Sequence, residues 1–154
     1  MRPLYIFDLD GTLALIEHRK HYLADERDPQ RWRKFYAACD RDQPNVPVIA
    51  TMNRLRDAGA DIWIFSGRSD EVRDKTVAWL ARHAGFMSHD FAASLTMRAE
   101  GDYTPDDVLK RKWFDDMLSD DRQRLVAAFD DRDRVVTMWR SLGVACFQVA
   151  DGEF

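Results

Sequence analysis

Short apolar runs that stop abruptly at polar clusters set the pattern of this chain. Leu4 to Phe7 has the length and content of a buried strand and stops at Asp8. Asp61-Ile62-Trp63-Ile64-Phe65 is a second strand, with Ser66-Gly67-Arg68 expected as the turn after it. Leu125 to Phe129 is a third, ending in Asp130-Asp131, and Val144 to Val149 is the last. Residues 92–97 add a short strand. Between these runs the apolar spacing becomes helical. Val46 to Ala58 carries a stripe of Ile49, Met52 and Leu55 and is closed by Gly59. Residues 69–84 place Val72, Thr76, Trp79 and Leu80 on one side, with Gly85 at the end. Thr104-Pro105-Asp106-Asp107 reads as a helix start, with a hydroxyl cap, a Pro in the first turn and acids near the positive end. That helix runs to about Met117, and a further one covers 132–142 before Gly143. Alternating strands and helices predict the α/β class: a Rossmann-like parallel sheet flanked by helices.

Residues 14–46 break this rhythm, being charged and aromatic with no clear strand. Asp28-Pro29 is expected to start a short helix with Trp32, Phe35 and Tyr36 on one face. The expectation is a single domain over 1–154 with a small helical cap inserted at 17–47.

The polar clusters carry the chemistry. In a parallel sheet, ligands bind beyond the carboxyl ends of the strands, where all these clusters fall. Asp8 and Asp10 leave their strand on the same side, and Gly11 then allows a sharp turn. Carboxylates crowded at a strand end need a positive partner. A hard cation such as Mg²⁺ meets that need with oxygen ligands, expected from Asp8, Asp10, Asp130 and Asp131. Adjacent residues cannot both point one way from an extended strand. One of Asp130 and Asp131 is therefore expected on the metal and the other on a water or a lysine. Asp8 is the candidate nucleophile for a phosphomonoester, and Asp10 the candidate general acid–base. Ser66, Gly67 and Arg68 offer a hydroxyl, backbone N–H groups and a guanidinium for phosphate oxygens, and Thr12 joins them. Lys110 leads Lys112 as the cation that neutralises the attacking aspartate.

Composition narrows the field. Among 154 residues, hydrophobic positions are 45% and charged ones 32%, which fits a globular protein with a real core. A net charge of −4 argues against an extended surface that coats nucleic acid, but leaves room for a small basic pocket. Cys39 and Cys146 match no metal spacing and are expected as buried thiols. No signal peptide or membrane span is visible, so a cytoplasmic location is the expectation.

Taken in order, FDLDGT, FSGR, a helix lysine and FDD resemble motifs one to four of the haloacid dehalogenase superfamily, most of whose members are phosphatases. The strings DDVLK and DDRDRVVTMWRSLGVACFQVADGEF are similar to the carboxyl-terminal phosphatase domain of phage-type polynucleotide kinase–phosphatases. That domain removes 3′-phosphates from nucleic-acid ends with Mg²⁺. The resemblance implies Asp8 and Asp10 as the catalytic pair and roles for Arg19, Arg68, Arg98, Asp106, Lys110, Asp130 and Asp131. Arg19 is implied to contact phosphate or substrate. The implied substrate is a phosphorylated nucleotide or nucleic-acid end. A polynucleotide 3′-phosphatase comes first, a nucleotidase for free nucleoside monophosphates second, and an idle binding module third. No G-x-x-x-x-G-K-[ST] loop is present, so kinase activity is not expected of this chain. The basic and aromatic residues of 17–47 suit stacking a base and holding a phosphate, or else packing the cap onto the body; both readings stand at this point.

Overall fold

The computed structural model describes residues 1–87 and 94–152. Its main sheet consists of β1 (Leu4–Phe7), β4 (Asp61–Ser69), β5 (Leu95–Arg98), β6 (Leu125–Asp130) and β7 (Ala145–Gln148). Their order is β5-β4-β1-β6-β7 and every pairing is parallel. β1 is therefore central, and the chain leaves it first toward β4 and later toward β6. Such a reversal of strand order opens a crevice at the carboxyl end of the central strand, where Asp8 stands.

Side chains alternate across the sheet and build a core on each face. Phe7, Ile62 and Ile64 pack with α3 (Val46–Asp57) and α4 (Arg73–Ala84) through Ile49, Met52, Trp79 and Leu80. Leu4, Ile6 and Phe65 pack on the other side with α7 (Asp133–Ser141) through Val135, Val136 and Trp139. Trp113 and Phe114 of α5 (Asp106–Asp115) pack against that second core. Gly59, Gly85 and Gly143 follow their helices with φ of +94°, +68° and +76°.

Several expectations change in detail. Ser66-Gly67-Arg68 is not a turn. The strand continues through it to Ser69, and its pairing with β5 slips between Ser66 and Ser69. That slip is a bulge-like irregularity, which re-aims side chains without ending a strand. The segment 14–46 does contain strands. β2 (Ala14–Leu15) and β3 (Gln43–Pro44) pair antiparallel, each too short to leave a period in the sequence. Between them lie α1 (His21–Ala24) and α2 (Arg31–Ala37), the latter on the expected Trp32-Phe35-Tyr36 segment. The Thr104 hydroxyl does not cap α5. It donates to Asp102 Oδ1 at 2.6 Å, because a carboxylate there outcompetes the helix amides. A short α6 (Ser119–Arg124) precedes β6 without having been signalled. The strand expected at 92–97 is β5, and residues 92 and 93 lie outside the described residues.

Candidate active site

Asp8 continues the ladder one residue past β1, its N–H donating to Phe129 O at 2.9 Å. The chain then turns tightly, with Thr12, Leu13 and Ala14 all donating to Leu9 O and Gly11 at φ +86°. This turn delivers Thr12 back onto Asp8, and Thr12 Oγ1 donates to Asp8 Oδ2 at 2.9 Å. The other oxygen, Oδ1, accepts from Lys110 Nζ at 2.7 Å. Lys110 reaches down from α5 and also donates to Asp130 Oδ2 at 2.7 Å, with only 1% of the residue exposed. Lys112 faces solvent on the same helix, so the structure brings Lys110 rather than Lys112 to the site.

Asp130 ends β6 and Asp131 lies just beyond it, free of the strand's alternation. Both therefore come to the same place: oxygens of Asp8, Asp130 and Asp131 lie within 4.8 Å of one another, and all three residues are buried. Asp130 is the one that orients the lysine. Asp131 is gripped from two sides. A Cβ on Gly11 would lie 2.1 Å from its Oδ2, and a Cβ on Gly152 would lie 2.0 Å from its carbonyl oxygen. Gln148 Nε2 donates to that carbonyl at 3.1 Å, and Asp133 N–H donates to Gly152 O at 2.7 Å.

The trio is short of positive charge. Three carboxylates share one ammonium, which leaves two negative charges in a buried place. Burial, with the Asp130 charge beside it, pushes the Asp8 carboxyl well above its ordinary range. Asp131 is raised by the same two causes. Burial alone would lower Lys110, yet Asp130 and Asp8 hold it firmly protonated. An all-oxygen donor set carrying a charge deficit of two fits a divalent cation such as Mg²⁺.

Asp10 turns away from this trio. Its Oδ1 accepts from Arg19 Nη2 at 2.7 Å and from Arg68 Nε at 3.2 Å and Nη2. Burial would raise its carboxyl, but Arg68 and Arg19 pull it down to about 2. Asp10 was grouped with the metal ligands from sequence; the structure instead commits the Oδ1 of its carboxylate to two guanidinium groups.

Arg19 and Arg68, expected on phosphate, are themselves committed. Both lie between Asp10 and Asp42, a residue that sequence reading passed over. Arg19 donates to both Asp42 oxygens at 2.7 Å, and Arg68 Nη2 donates to Oδ2 at 3.1 Å. Arg68 also reaches Thr76 Oγ1 at 3.1 Å, and the Arg19 guanidinium lies over the Phe35 ring. Asp42 is 2% exposed and takes a further contact from His18 at 2.7 Å. Its backbone is fixed by Trp79, whose Nε1 donates to Asp42 O at 2.8 Å. Arg19, Arg68 and Asp42 thus frame Asp10, with Arg68 also lining the cavity while Arg19 and Asp42 lie behind it.

Arg98 is turned inward as well. Its Nε donates to Gly67 O at 2.7 Å, and its Nη2 to Asp106 Oδ1 at 2.7 Å. Asp106 also pairs with Arg132 at 3.2 Å, and a Cβ on Gly67 would lie 2.2 Å from its Oδ1. Gly67 is thus the residue that lets α5 approach β4. Ser66 Oγ accepts from the Arg68 N–H at 3.2 Å inside the strand end. Arg132 was not singled out from sequence, although its place directly after the paired acids was a signal.

These groups border a cavity of about 760 Å³, lined by Asp8, Asp10 and Asp131 at its base and by Trp32, Tyr36 and Tyr103 higher up. That is far more room than a phosphate needs and is in the range of small-molecule sites. Among the described residues no helix is long and apolar enough to cross a membrane.

Comparison with known proteins agrees with the geometry. The sequence model of the polynucleotide kinase PNKP phosphatase domain matches residues 2–154. A protein of Autographa californica nuclear polyhedrosis virus, described as a bifunctional polynucleotide kinase/RNA ligase, is 32% identical over 138 residues. The match covers 89% of this chain and 18% of the viral protein. Two structures of Pnkp1/Rnl/Hen1 complexes contain a chain that superposes with TM-scores of 0.74 and 0.76, at 30% and 31% identity. Each superposition covers 99% of this chain, but only 44% and 48% of those chains. A Clostridium difficile protein described as a phosphatase shares the fold at a TM-score of 0.65 and 9% identity, over 96% of this chain and 84% of its own. The chain thus spans less than half the length of the viral protein and of the repair-complex chains.

Proposed function

The chain belongs to the polynucleotide kinase PNKP phosphatase-domain family of haloacid dehalogenase-type phosphatases, and from that premise we propose that it removes a terminal 3′-phosphate from nucleic-acid ends. The observation that carries this reading is Asp8, held by Thr12 and Lys110 at the base of a cavity large enough for a nucleotide.

Asp8 is the nucleophile. Its oxygen bonds to phosphorus as the ester bond to the leaving oxygen breaks, giving an aspartyl-phosphate. Lys110 offsets the charge of Asp8 and Asp130, and Thr12 fixes the rotation of the attacking carboxylate. In the second step Asp10 takes a proton from water as the water oxygen bonds to phosphorus and the Asp8–phosphorus bond breaks. Asp10 is well placed for this half, because its two arginines keep it a carboxylate. The first half needs a proton on the leaving oxygen. We assign its arrival to the substrate, whose phosphate monoester has a second pKa of about 6, with Asp10 as the relay. A divalent cation held by Asp8, Asp130 and Asp131 would supply the charge that draws the phosphate oxygens toward Asp8. Arg19, Arg68 and Asp42 orient Asp10. Arg98 and Asp106 fix the Gly67 edge of the cradle, where Ser66 and the backbone face the phosphate.

Phosphate release from 3′-phosphorylated, 5′-phosphorylated and free mononucleotide substrates tests the reading. Preferential release from the 3′-phosphorylated oligonucleotide is expected. Equal or better release from mononucleotides would replace the reading with a nucleotidase.

A further inference from the structure

The aromatic residues of the 17–47 segment divide into two groups. Phe35 is 5% exposed beneath Arg19 and packs the cap onto the body. Trp32 is 36% exposed, and with Tyr36 it lines the cavity above Asp8 and Asp10. Tyr36 is anchored beside the phosphate cradle, its hydroxyl donating to Gly67 O at 3.5 Å. Trp32 lies against it, ring centroids 5.9 Å apart.

A second ring comes from a different part of the chain. Tyr103 is 78% exposed and lines the same cavity. An exposed tyrosine on a loop is ordinarily mobile, but this one stands on a fixed backbone. Arg98 Nη1 donates to the carbonyls on either side of it, Asp102 O at 3.1 Å and Thr104 O. Asp102 Oδ1 closes the loop by accepting from Thr104 N–H at 2.9 Å. Because Arg98 also holds Gly67, the Tyr103 backbone is tied to the strand end that edges the phosphate cradle. This gives a role to an arginine that lines the cavity but spends its donors on the surrounding chain.

Trp32, Tyr36 and Tyr103 also line a smaller adjoining groove of about 250 Å³, so they form the ridge over which a bound molecule leaves the cavity. That outer groove includes Glu71, Glu100 and Asp102, against Arg33 and the already bonded Arg98. Such a mixed surface, three acids against two arginines, offers a phosphodiester no net attraction and suits a neutral ring with polar edges. We propose that Trp32 and Tyr103 form a stacking clamp for the terminal nucleobase of the substrate. The clamp rests on the 3′-phosphatase reading and specifies it: one sugar beyond the phosphate, the feature recognised is a base. Fixed aromatic rings suit this use, because every base has a π face and a tyrosine loses only two side-chain torsions on binding.

The test compares two 3′-phosphorylated oligonucleotides, one ending in a base and one ending in an abasic tetrahydrofuran residue. The wild type is expected to favour the base-bearing end by about tenfold in kcat/KM, the scale of one base–aromatic stack. Tyr103→Ala and Trp32→Ala should each bring that selectivity close to one, chiefly through KM. Tyr103→Phe should restore it, since the ring and not the hydroxyl stacks. Equal handling of both substrates by the wild type, or unchanged selectivity in both alanine variants, overturns the clamp while leaving the phosphatase reading intact. Absence of release from either 3′-end overturns both.

Discussion

Asp8 and Asp10 are two positions apart and sit in opposite surroundings. Asp8 shares a buried corner with two further carboxylates and one lysine, and its carboxyl is raised. Asp10 faces two buried arginines, and its carboxyl is lowered to about 2. One corner lacks positive charge and the other is saturated with it. On the proposed mechanism the same side chain is thereby prepared for two tasks: one to bond phosphorus when a cation is bound, the other to accept a proton. Environment rather than residue type separates them, as in other carboxylate pairs that divide acid and base work.

The sharpest way to break this contrast is to neutralise each residue in turn. Asp8→Asn should lower kcat by at least about a thousandfold, the scale for losing a nucleophile. In metal-free buffer it should raise the melting temperature, because it relieves a crowded acidic corner. Asp10→Asn should also cut activity, by about a hundredfold or more, but with a lower melting temperature. It strands two buried guanidinium groups on Asp42 alone, a loss of about 3 kcal/mol or more. If calorimetry finds the two variants shifted in the same direction, the contrast is wrong. The sign with pH follows. Asp10 has a folded pKa below its unfolded value, so its contribution is present above about pH 4 and is lost as the pH falls through about 2.

Magnesium should act on the Asp8 corner alone. At a hundredfold excess over its dissociation constant it adds about 2.7 kcal/mol of stability. Burial and neighbouring acids raise Asp8 and Asp131, so protons compete with the ion in acid. The Mg²⁺-induced rise in melting temperature should therefore grow from pH 5 to pH 8, and a rise that shrinks with pH would contradict the assignment. A smaller effect is expected from Asp42→Asn, which touches only the Asp10 frame. Activity should fall about tenfold, as for other groups acting through a neighbour, with the Mg²⁺ midpoint unmoved. The smallest effect concerns the two buried thiols, which have no part in the proposed reaction. Burial pushes Cys146 up to about 12 and raises Cys39. Alkylation of the folded protein at pH 8 should be at least about a hundredfold slower than in denaturant.

The sequence displayed the Asp8 corner far better than the Asp10 frame. Asp8 and Asp130 end apolar strands, so periodicity marks where they fall. Lys110 sits on a helix whose start Pro105 and two acids announce, its choice over Lys112 resting partly on the family resemblance. The frame depends on contacts between residues distant in sequence. Asp42 meets Arg19 and Arg68 from 23 and 26 positions away, in a segment with no period, and nothing local distinguishes it from a solvated acid. Arg68 stands out by its place after a strand and Arg19 only through the family resemblance, and neither signal says which way a long side chain turns. Arg19 is expected on phosphate or substrate and Arg68 on phosphate, and both are bonded to Asp10 and Asp42. Ser66 to Arg68 misled for a related reason. A glycine after a strand ordinarily signals a turn, whereas here Gly67 makes room for the Asp106 carboxylate while the strand runs on. The helix at 119–124 is short and almost wholly polar, so no apolar stripe announced it.

The seam between Gly152 and the Asp130–Asp133 loop has a mechanical consequence. The backbone at 152 touches the Asp131 carbonyl and is bonded to Asp133. A pull applied beyond that point, by a fused partner or an optical-trap handle, is transmitted through one hydrogen bond to the loop that aims a carboxylate at the catalytic corner. Met1, 86% exposed, leads instead into a strand bonded on both edges, where the same tension is shared along the sheet. Immobilisation through the amino terminus should therefore leave the reaction centre unloaded, whereas traction on the opposite end makes it a force gauge.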